Sequence, residues 1–223
     1  MFNLLVLATT NKNKVREFKA FVSKFPVEVK SLSDFGPLPE VIEDGSTFDE
    51  NAYKKALHYA KVLGIPAIAD DSGLVVEALS GAPGVRSARY AGDDASDQDN
   101  CRKLLADLEG ETNRQASFVC VLSIAVPSGP ALTYEASCEG TILDAPRGSN
   151  GFGYDPLFYY EPYGKTFAEI SMDEKNKVSH RGKVLKELSD EFEKVLKWLD
   201  QRTLEEMPEQ PAHSKYEEND RSR

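Results

Sequence analysis

Cysteine is scarce in this chain. Only Cys101, Cys120 and Cys138 occur in 223 residues, at spacings that make neither a disulfide framework nor a zinc ligand set. A reducing cytoplasm is the compartment this implies. Positive charge is also short, with 27 Lys and Arg against 37 Asp and Glu and a net charge of -10. A broad nucleic-acid footprint needs a basic face, so that class is excluded, although a few lysines gathered round one phosphate group are not. Histidine is limited to the widely spaced His58, His180 and His213, which make no metal cluster. Two familiar signatures are missing, the GxxxxGK[ST] loop and the GxGxxG fingerprint, and Asp70 and Asp71, being adjacent, do not make a DxD phosphatase pair. The N-terminal stretch lacks a basic leader and has only five consecutive apolar residues, Leu4-Leu5-Val6-Leu7-Ala8, so no signal peptide is expected. The longest uncharged run, residues 115–134, could span a bilayer by length alone. Pro127-Ser128-Gly129-Pro130 interrupts it, and the flanks are rich in Thr, Ser, Val and Ile. Two strands joined by a turn are predicted there, and no membrane segment.

At 40% hydrophobic and 29% charged residues, the composition is that of a globular domain able to bury a core unaided. Residues 4–9 read as a buried strand. Val15, Phe18, Phe21 and Val22 mark one face of a helix. Val27 and Val29 alternate as a second strand. Thr47 and Glu50 have the spacing of a capping box, opening a helix with Ala52, Ala56 and Ala60 in one stripe and a stop near Gly64-Ile65-Pro66. Ala67-Ile68-Ala69 reads as a strand ending in a turn at Asp70-Asp71-Ser72-Gly73. Ser96 to Asp99 repeats the cap signature before Cys101, Leu104, Leu105 and Leu108. Leu185, Leu188, Phe192, Val195 and Leu199 mark the last helix. Residues 1–202 read as one domain. Residues 203–223, with six acids, three bases, two prolines and few apolar side chains, read as a disordered acidic tail. Alternating strands and helices around one long hairpin mean α/β or α+β with a mixed sheet.

Several clusters carry polar chemistry. Thr9, Thr10, Asn11, Lys12, Asn13 and Lys14 fall between the first strand and first helix, where unpaired helix N–H groups favour an anion; simple helix capping would use the same residues. Glu40, Glu43, Asp44, Asp49 and Glu50 either offset a helix dipole or include a ligand for a hard divalent cation. Adjacent Asp70 and Asp71 are costly unless a cation uses one of them. The run from Gly148 to Pro156 combines permissive glycines with Phe152 and Tyr154, rings able to stack on a base. Lys175, His180 and Arg181 sit near a helix start, where cations oppose the dipole, which suggests that they answer an anion.

Six motifs in order carry a family resemblance: Ala8-Thr9-Thr10-Asn11-Lys12-Asn13-Lys14, Gly45-Ser46-Thr47-Phe48-Asp49-Glu50-Asn51-Ala52, Ala69-Asp70-Asp71-Ser72-Gly73-Leu74, Pro83-Gly84-Val85-Arg86-Ser87-Ala88-Arg89-Tyr90, Phe152-Gly153-Tyr154-Asp155-Pro156 and Ser179-His180-Arg181. Together, over roughly residues 4–200, the chain resembles the inosine triphosphate pyrophosphatase family, and especially its bacterial dITP- and XTP-cleansing members. The resemblance implies an α/β fold with an elongated mixed central sheet, flanking helices and an active-site cleft between two lobes. It implies a cytoplasmic, Mg²⁺-dependent homodimer that converts ITP, dITP and XTP to the monophosphate and pyrophosphate. By the same resemblance Thr9, Asn11 and Lys14 hold the triphosphate, with Thr10, Lys12, Asn13 and Ser72 alongside and Lys54 adding charge. Glu43 and Asp71 hold Mg²⁺, and Asp71 is the general base. Phe152, Gly153, Tyr154 and Asp155 meet the nucleoside, with Lys175, His180 and Arg181 around the base. Tyr154 stands where the family often has Trp, and Thr10 and Asn13 replace glycines. Two other readings are separable by assay: a non-catalytic nucleotide-binding module, which releases no pyrophosphate, and a metal-dependent phosphomonoesterase, which releases orthophosphate.

Overall fold

A computed structural model describes residues 3–206. Seven strands form one sheet in the order β2-β1-β3-β4-β5-β6-β7. They are β1 (Leu4–Leu7), β2 (Glu28–Ser31), β3 (Ala67–Val76), β4 (Gln115–Ala125), β5 (Ala131–Ile142), β6 (Phe158–Tyr160) and β7 (Lys165–Thr166). β1 runs parallel to β2 and β3, and every later neighbour is antiparallel, so the sheet is mixed as expected. The uncharged run is indeed a hairpin, β4 and β5 paired from Gln115↔Thr141 to Ala125↔Ala131.

Five helices flank the sheet: α1 (Lys12–Val22), α2 (Phe48–Leu63), α3 (Asp97–Asp107), α4 (Met172–Val178) and α5 (His180–Glu206). On one face Phe18 and Val22 of α1 and Val184, Leu188, Phe192, Val195 and Leu199 of α5 cover Leu5, Leu7, Ile68, Cys120, Leu122 and Ile124. On the other, Ala56 and Ala60 of α2 lie on Val6, Ala8, Ala67, Ala69 and Ala125. The small alanine stripe lets this helix approach the sheet closely, and it stops at Gly64, whose left-handed φ of 64° suits a residue without Cβ. A third cluster fills the far half of the long strands, from Leu74 and Phe118 to Phe158 and Phe167.

Three expectations need correction. β3 does not turn at Asp70 but continues to Val76, its far half covered by the 84–89 turn, where Ser87 Oγ accepts from Leu74 N at 2.8 Å. Glu50 caps Ser46 rather than Thr47, accepting from its N at 2.6 Å, although Thr47 Oγ1 still accepts from Glu50 N at 3.1 Å. The segment before the last helix, for which no element was predicted, is itself helical, as α4. Finally, α5 runs past Arg202 to Glu206, with Thr203 Oγ1 donating to Leu199 O at 2.8 Å, so residues 203–206 are helical. The rest of the expected tail, 207–223, lies outside the described residues.

Candidate active site

The site is organised by a gap in strand pairing. β1 is short and meets only Ala67 and Ile68 of β3, whereas β4 pairs with β3 along its whole length. Among the described pairings, Ala69 to Ser72 therefore have no strand neighbour on the β1 side. The loop carrying Thr9 to Asn11 leaves β1 beside this free edge, the position outside a parallel strand's carboxyl end where α/β sheets bind ligands. Because β3 is extended here, successive side chains point to opposite faces. The adjacent acids are thus separated by the sheet rather than crowded.

Asp70 faces α1 and α5. Lys14 Nζ lies 2.5 Å and Arg181 Nη1 2.8 Å from its Oδ2, and Ser72 Oγ is 3.4 Å away. Burial alone would raise its pKa, but Arg181 and Lys14 outweigh that and hold the carboxyl well below the usual carboxylate range. Glu17 Oε2 accepts from Arg181 Nε at 3.0 Å. Asp71 faces α2. Asn51 Nδ2 donates to its Oδ2 at 3.1 Å, and its Oδ1 accepts from Ser72 N at 3.0 Å. Burial pushes the Asp71 carboxyl up, Glu43 adding to the effect against the pull of Lys55. Lys55 Nζ lies 2.9 Å from Glu43 Oε2 and donates to Asp70 O, on the free edge, at 3.1 Å. Arg89 Nη2 fixes the Glu43 backbone carbonyl at 3.1 Å.

Two hollows flank this edge. One, of about 450 Å³, is lined by Thr9, Thr10, Glu43 and Lys55 among others. The second, of about 240 Å³, lies on the Asp70 side and includes Lys14, Ser72, Phe152, Tyr154, Lys175 and His180. Here Phe152 is exposed at the mouth, with Lys175 Nζ 4.8 Å from its ring centroid. Tyr154 is buried as a wall, its hydroxyl donating to Ser87 O at 2.8 Å. Asp155 is buried against Lys175 and accepts from Phe152 N at 3.0 Å. At Gly151 (φ 77°) a Cβ would lie 2.0 Å from Asp155 Oδ2, so only glycine lets the turn close over that carboxylate.

The structure thus gathers Lys14, Asp70, Ser72, Phe152, Gly153, Tyr154, Asp155, Lys175, His180 and Arg181 round one hollow, with Thr9, Thr10 and Glu43 round the other. Asn11 accepts from Lys14 N at 3.3 Å and caps α1, and Lys12 is exposed in its first turn. Asn13 belongs to the same turn, its side chain lying outside what is described. Two expectations change. Lys54 points away and pairs with exposed Asp44; the lysine at the carboxylates is Lys55, one turn beyond Asn51 on the same face of α2. That i,i+4 spacing was the missed signal. Lys175 and Arg181 also answer protein carboxylates, Asp155, Asp70 and Glu17, while His180 is stacked on Phe118 at 4.9 Å and held neutral, its pKa pushed down to about 3 by burial and neighbouring cations.

Comparison with known proteins identifies the family. The Ham1 family profile matches residues 5–191. The dITP/XTP pyrophosphatase of Desulfotalea psychrophila is 61% identical over 223 residues, 100% of both chains. That of Syntrophobacter fumaroxidans is 69% identical over 203 residues, covering 91% of this chain and 88% of its own. Among solved structures, a HAM1 protein from Coxiella burnetii superposes with a TM-score of 0.83 at 42% identity, covering 86% of this chain and 100% of its own. The Staphylococcus aureus Ham1 protein gives 0.82 at 41%, with the same coverage. A profile match across most of the chain, relatives of this identity and the shared fold lead to one conclusion: the chain belongs to the Ham1 family.

Proposed function

We propose that this protein is a nucleoside triphosphate pyrophosphohydrolase that cleaves non-canonical purine triphosphates (ITP, dITP and XTP) to the monophosphate and pyrophosphate, clearing them from the nucleotide pool. The carrying observation is the free edge of β3, with cations and an aromatic hollow on one face and a carboxylate pair on the other. The relatives named as dITP/XTP pyrophosphatases support the substrate class. A nucleotide lying across this edge has its base beside Phe152, Tyr154 and Lys175. Its phosphates meet Lys14, Thr9, Thr10 and the N-terminus of α1. We read the third apolar cluster and the other two as the cores of the two lobes bordering this cleft.

Phosphoryl transfer is chiefly positioning and charge stabilisation. Lys14 releases part of its hold on Asp70, which Arg181 keeps, to meet phosphate oxygens. Asp71, raised by burial and by Glu43, is a carboxylate basic enough to take the proton of an attacking water, while Asn51 orients it. The proton passes to Asp71 as the water oxygen bonds to phosphorus, and pyrophosphate leaves with the bond electrons.

The residues fit Mg²⁺. Glu43 and Asp71 share a single ammonium, Lys55, a donor set short of positive charge. Among the described residues no three His, Cys, Asp or Glu side chains form a complete metal cage. Mg²⁺ suits such a lean set, because it keeps waters and takes substrate phosphates as its remaining ligands. When bound it would neutralise phosphate charge and acidify water.

For the base, Lys175 and Arg181 are donors suited to the O6 acceptor of hypoxanthine. The backbone N–H groups of Phe152 and Gly153 are already taken by Asp155 and Asp97. Adenine presents an amino donor there and an N1 acceptor where hypoxanthine has N1–H, and an unpaired buried polar group costs roughly 1–3 kcal/mol. Two reversed contacts therefore favour ITP over ATP by at least about 10²-fold in kcat/KM. Product analysis with ITP and Mg²⁺ tests the reading: IMP and pyrophosphate are expected, whereas IDP and orthophosphate would overturn it. Asp71→Asn is expected to lose about 10²–10⁴ in rate; turnover within about threefold of wild type would remove Asp71 from the role of base. We also take the enzyme to be a cytoplasmic homodimer; among the described residues no helix is long and apolar enough to cross a membrane.

A further inference from the structure

The turn that carries Phe152 has no regular secondary structure, and its tip is held from outside at one residue. Tyr154 and Asp155 are anchored from within the core by Ser87 O and Lys175. Gly153, at the tip, is gripped by α3 instead. Its N–H donates to Asp97 Oδ2 at 2.7 Å, and its carbonyl accepts from Cys101 Sγ, four residues along the same helix, at 3.5 Å. Asp97 is free for this because Ser96 and Asp99 already form the α3 capping box. As a first-turn residue its charge is favoured by the helix dipole. Gly153 has φ +61°, and a Cβ there would meet nothing within 4 Å. Glycine is therefore needed for the left-handed backbone that aims the N–H at Asp97, not for space. Asp97 also lines the hollow beside Phe152, Tyr154 and Lys175.

We propose that Asp97 is a positioning residue for base binding, its carboxylate holding the Phe152-bearing turn over the hollow through the Gly153 amide. Without it the tip moves, and Phe152 loses its fixed place above Lys175. The substrate side of this inference rests on the pyrophosphohydrolase reading; the restraint itself does not.

Two variants separate hydrogen bond from charge, since Asp97→Asn keeps an acceptor oxygen and Asp97→Ala removes it. In ligand-free protein, hydrogen exchange of the 152–154 amides should rise about tenfold or more in Asp97→Ala and stay near wild type in Asp97→Asn. With ITP and Mg²⁺, Asp97→Ala should raise KM about five- to tenfold with kcat within about twofold, and Asp97→Asn should restore most of that loss. Unchanged exchange in Asp97→Ala overturns the restraint. Raised exchange with unchanged KM overturns its part in binding, and an Asn variant as impaired as Ala shows that charge, not the hydrogen bond, is at work, which also overturns the proposal. Absence of pyrophosphate release by the wild-type enzyme would defeat the functional reading and the binding role with it, while the exchange measurement still decides whether Asp97 holds the turn.

Discussion

Neighbouring residues of one type have different fates here, and the difference is measurable. Lys54 and Lys55 are adjacent on α2, yet Lys54 pairs with exposed Asp44 while Lys55 sits between Glu43 and the edge of β3. An exposed ion pair contributes about 0–1 kcal/mol, so Lys54→Met should leave turnover and stability nearly unchanged. Lys55→Met leaves Glu43 and Asp71 uncompensated and should cut kcat/KM by about tenfold or more. Equal effects of the two substitutions in steady-state kinetics would contradict this placement. His180 gives a pH signature. Its imidazole, ordinarily near 6.5, is pushed down to about 3 by burial with Lys175 and Arg181 nearby. Between those values the unfolded chain binds a proton that the folded one does not, so stability falls as pH drops through this window. His180→Phe keeps an aromatic ring against Phe118 and removes the titration. Its thermal midpoint should therefore decline less steeply with acid than that of wild type; parallel curves would mean that His180 is not held neutral.

At the scale of elements, the junction of α4 and α5 sets the spacing of Lys175, His180 and Arg181. Ser179 makes the break: its Oγ accepts from Gly182 N at 3.1 Å and caps α5. Gly182 is required there by contact rather than conformation, since a Cβ would lie 1.8 Å from Asn176 O. Gly182→Ala must push the two helices apart. Overpacking of this kind costs about 1–3 kcal/mol, and the displaced Lys175 and Arg181 should also raise KM. A denaturation midpoint and KM both equal to wild type would show that the junction yields without strain. The α5 stripe itself was plain from its heptad-like spacing, as was the alanine stripe of α2, because burial on one helix face imposes a period that any reader of the chain sees. The break at Ser179 was not plain, since both α4 and α5 are good helix formers and only side-chain capping divides them.

For the whole molecule, the apolar β4 does not call for a second copy of the chain. Ala116 and Phe118 are buried in the third apolar cluster and residues 120–126 are buried within the monomer between α2 and α5, so an uncovered apolar surface on β4 is no argument for dimerisation. The homodimer rests on the family resemblance. Sedimentation at micromolar concentration should show a species of twice 24.7 kDa; a monomer alone would refute it.

Local pattern decided much of this protein. Periodicity placed β1, α1, α2, α3, α5 and the β4–β5 hairpin, and short motifs brought out most of the residues that line the hollow on the Asp70 side, but fewer than half of those that line the other. These signals are local because helix faces, caps and turns are made by residues a few positions apart. Tertiary structure alone decided that β3 runs on through Asp70 and Asp71, placing them on opposite faces. That depends on β4 pairing along the whole strand while β1 stops short, a contact between segments some 50 residues apart. It also decided that Lys55 rather than Lys54 meets the carboxylates, that the cations before α5 answer Asp70, Glu17 and Asp155, and that Asp97 grips Gly153. Each is a match between charges or hydrogen-bonding groups distant along the chain, and such matches exist only once the sheet has brought them together.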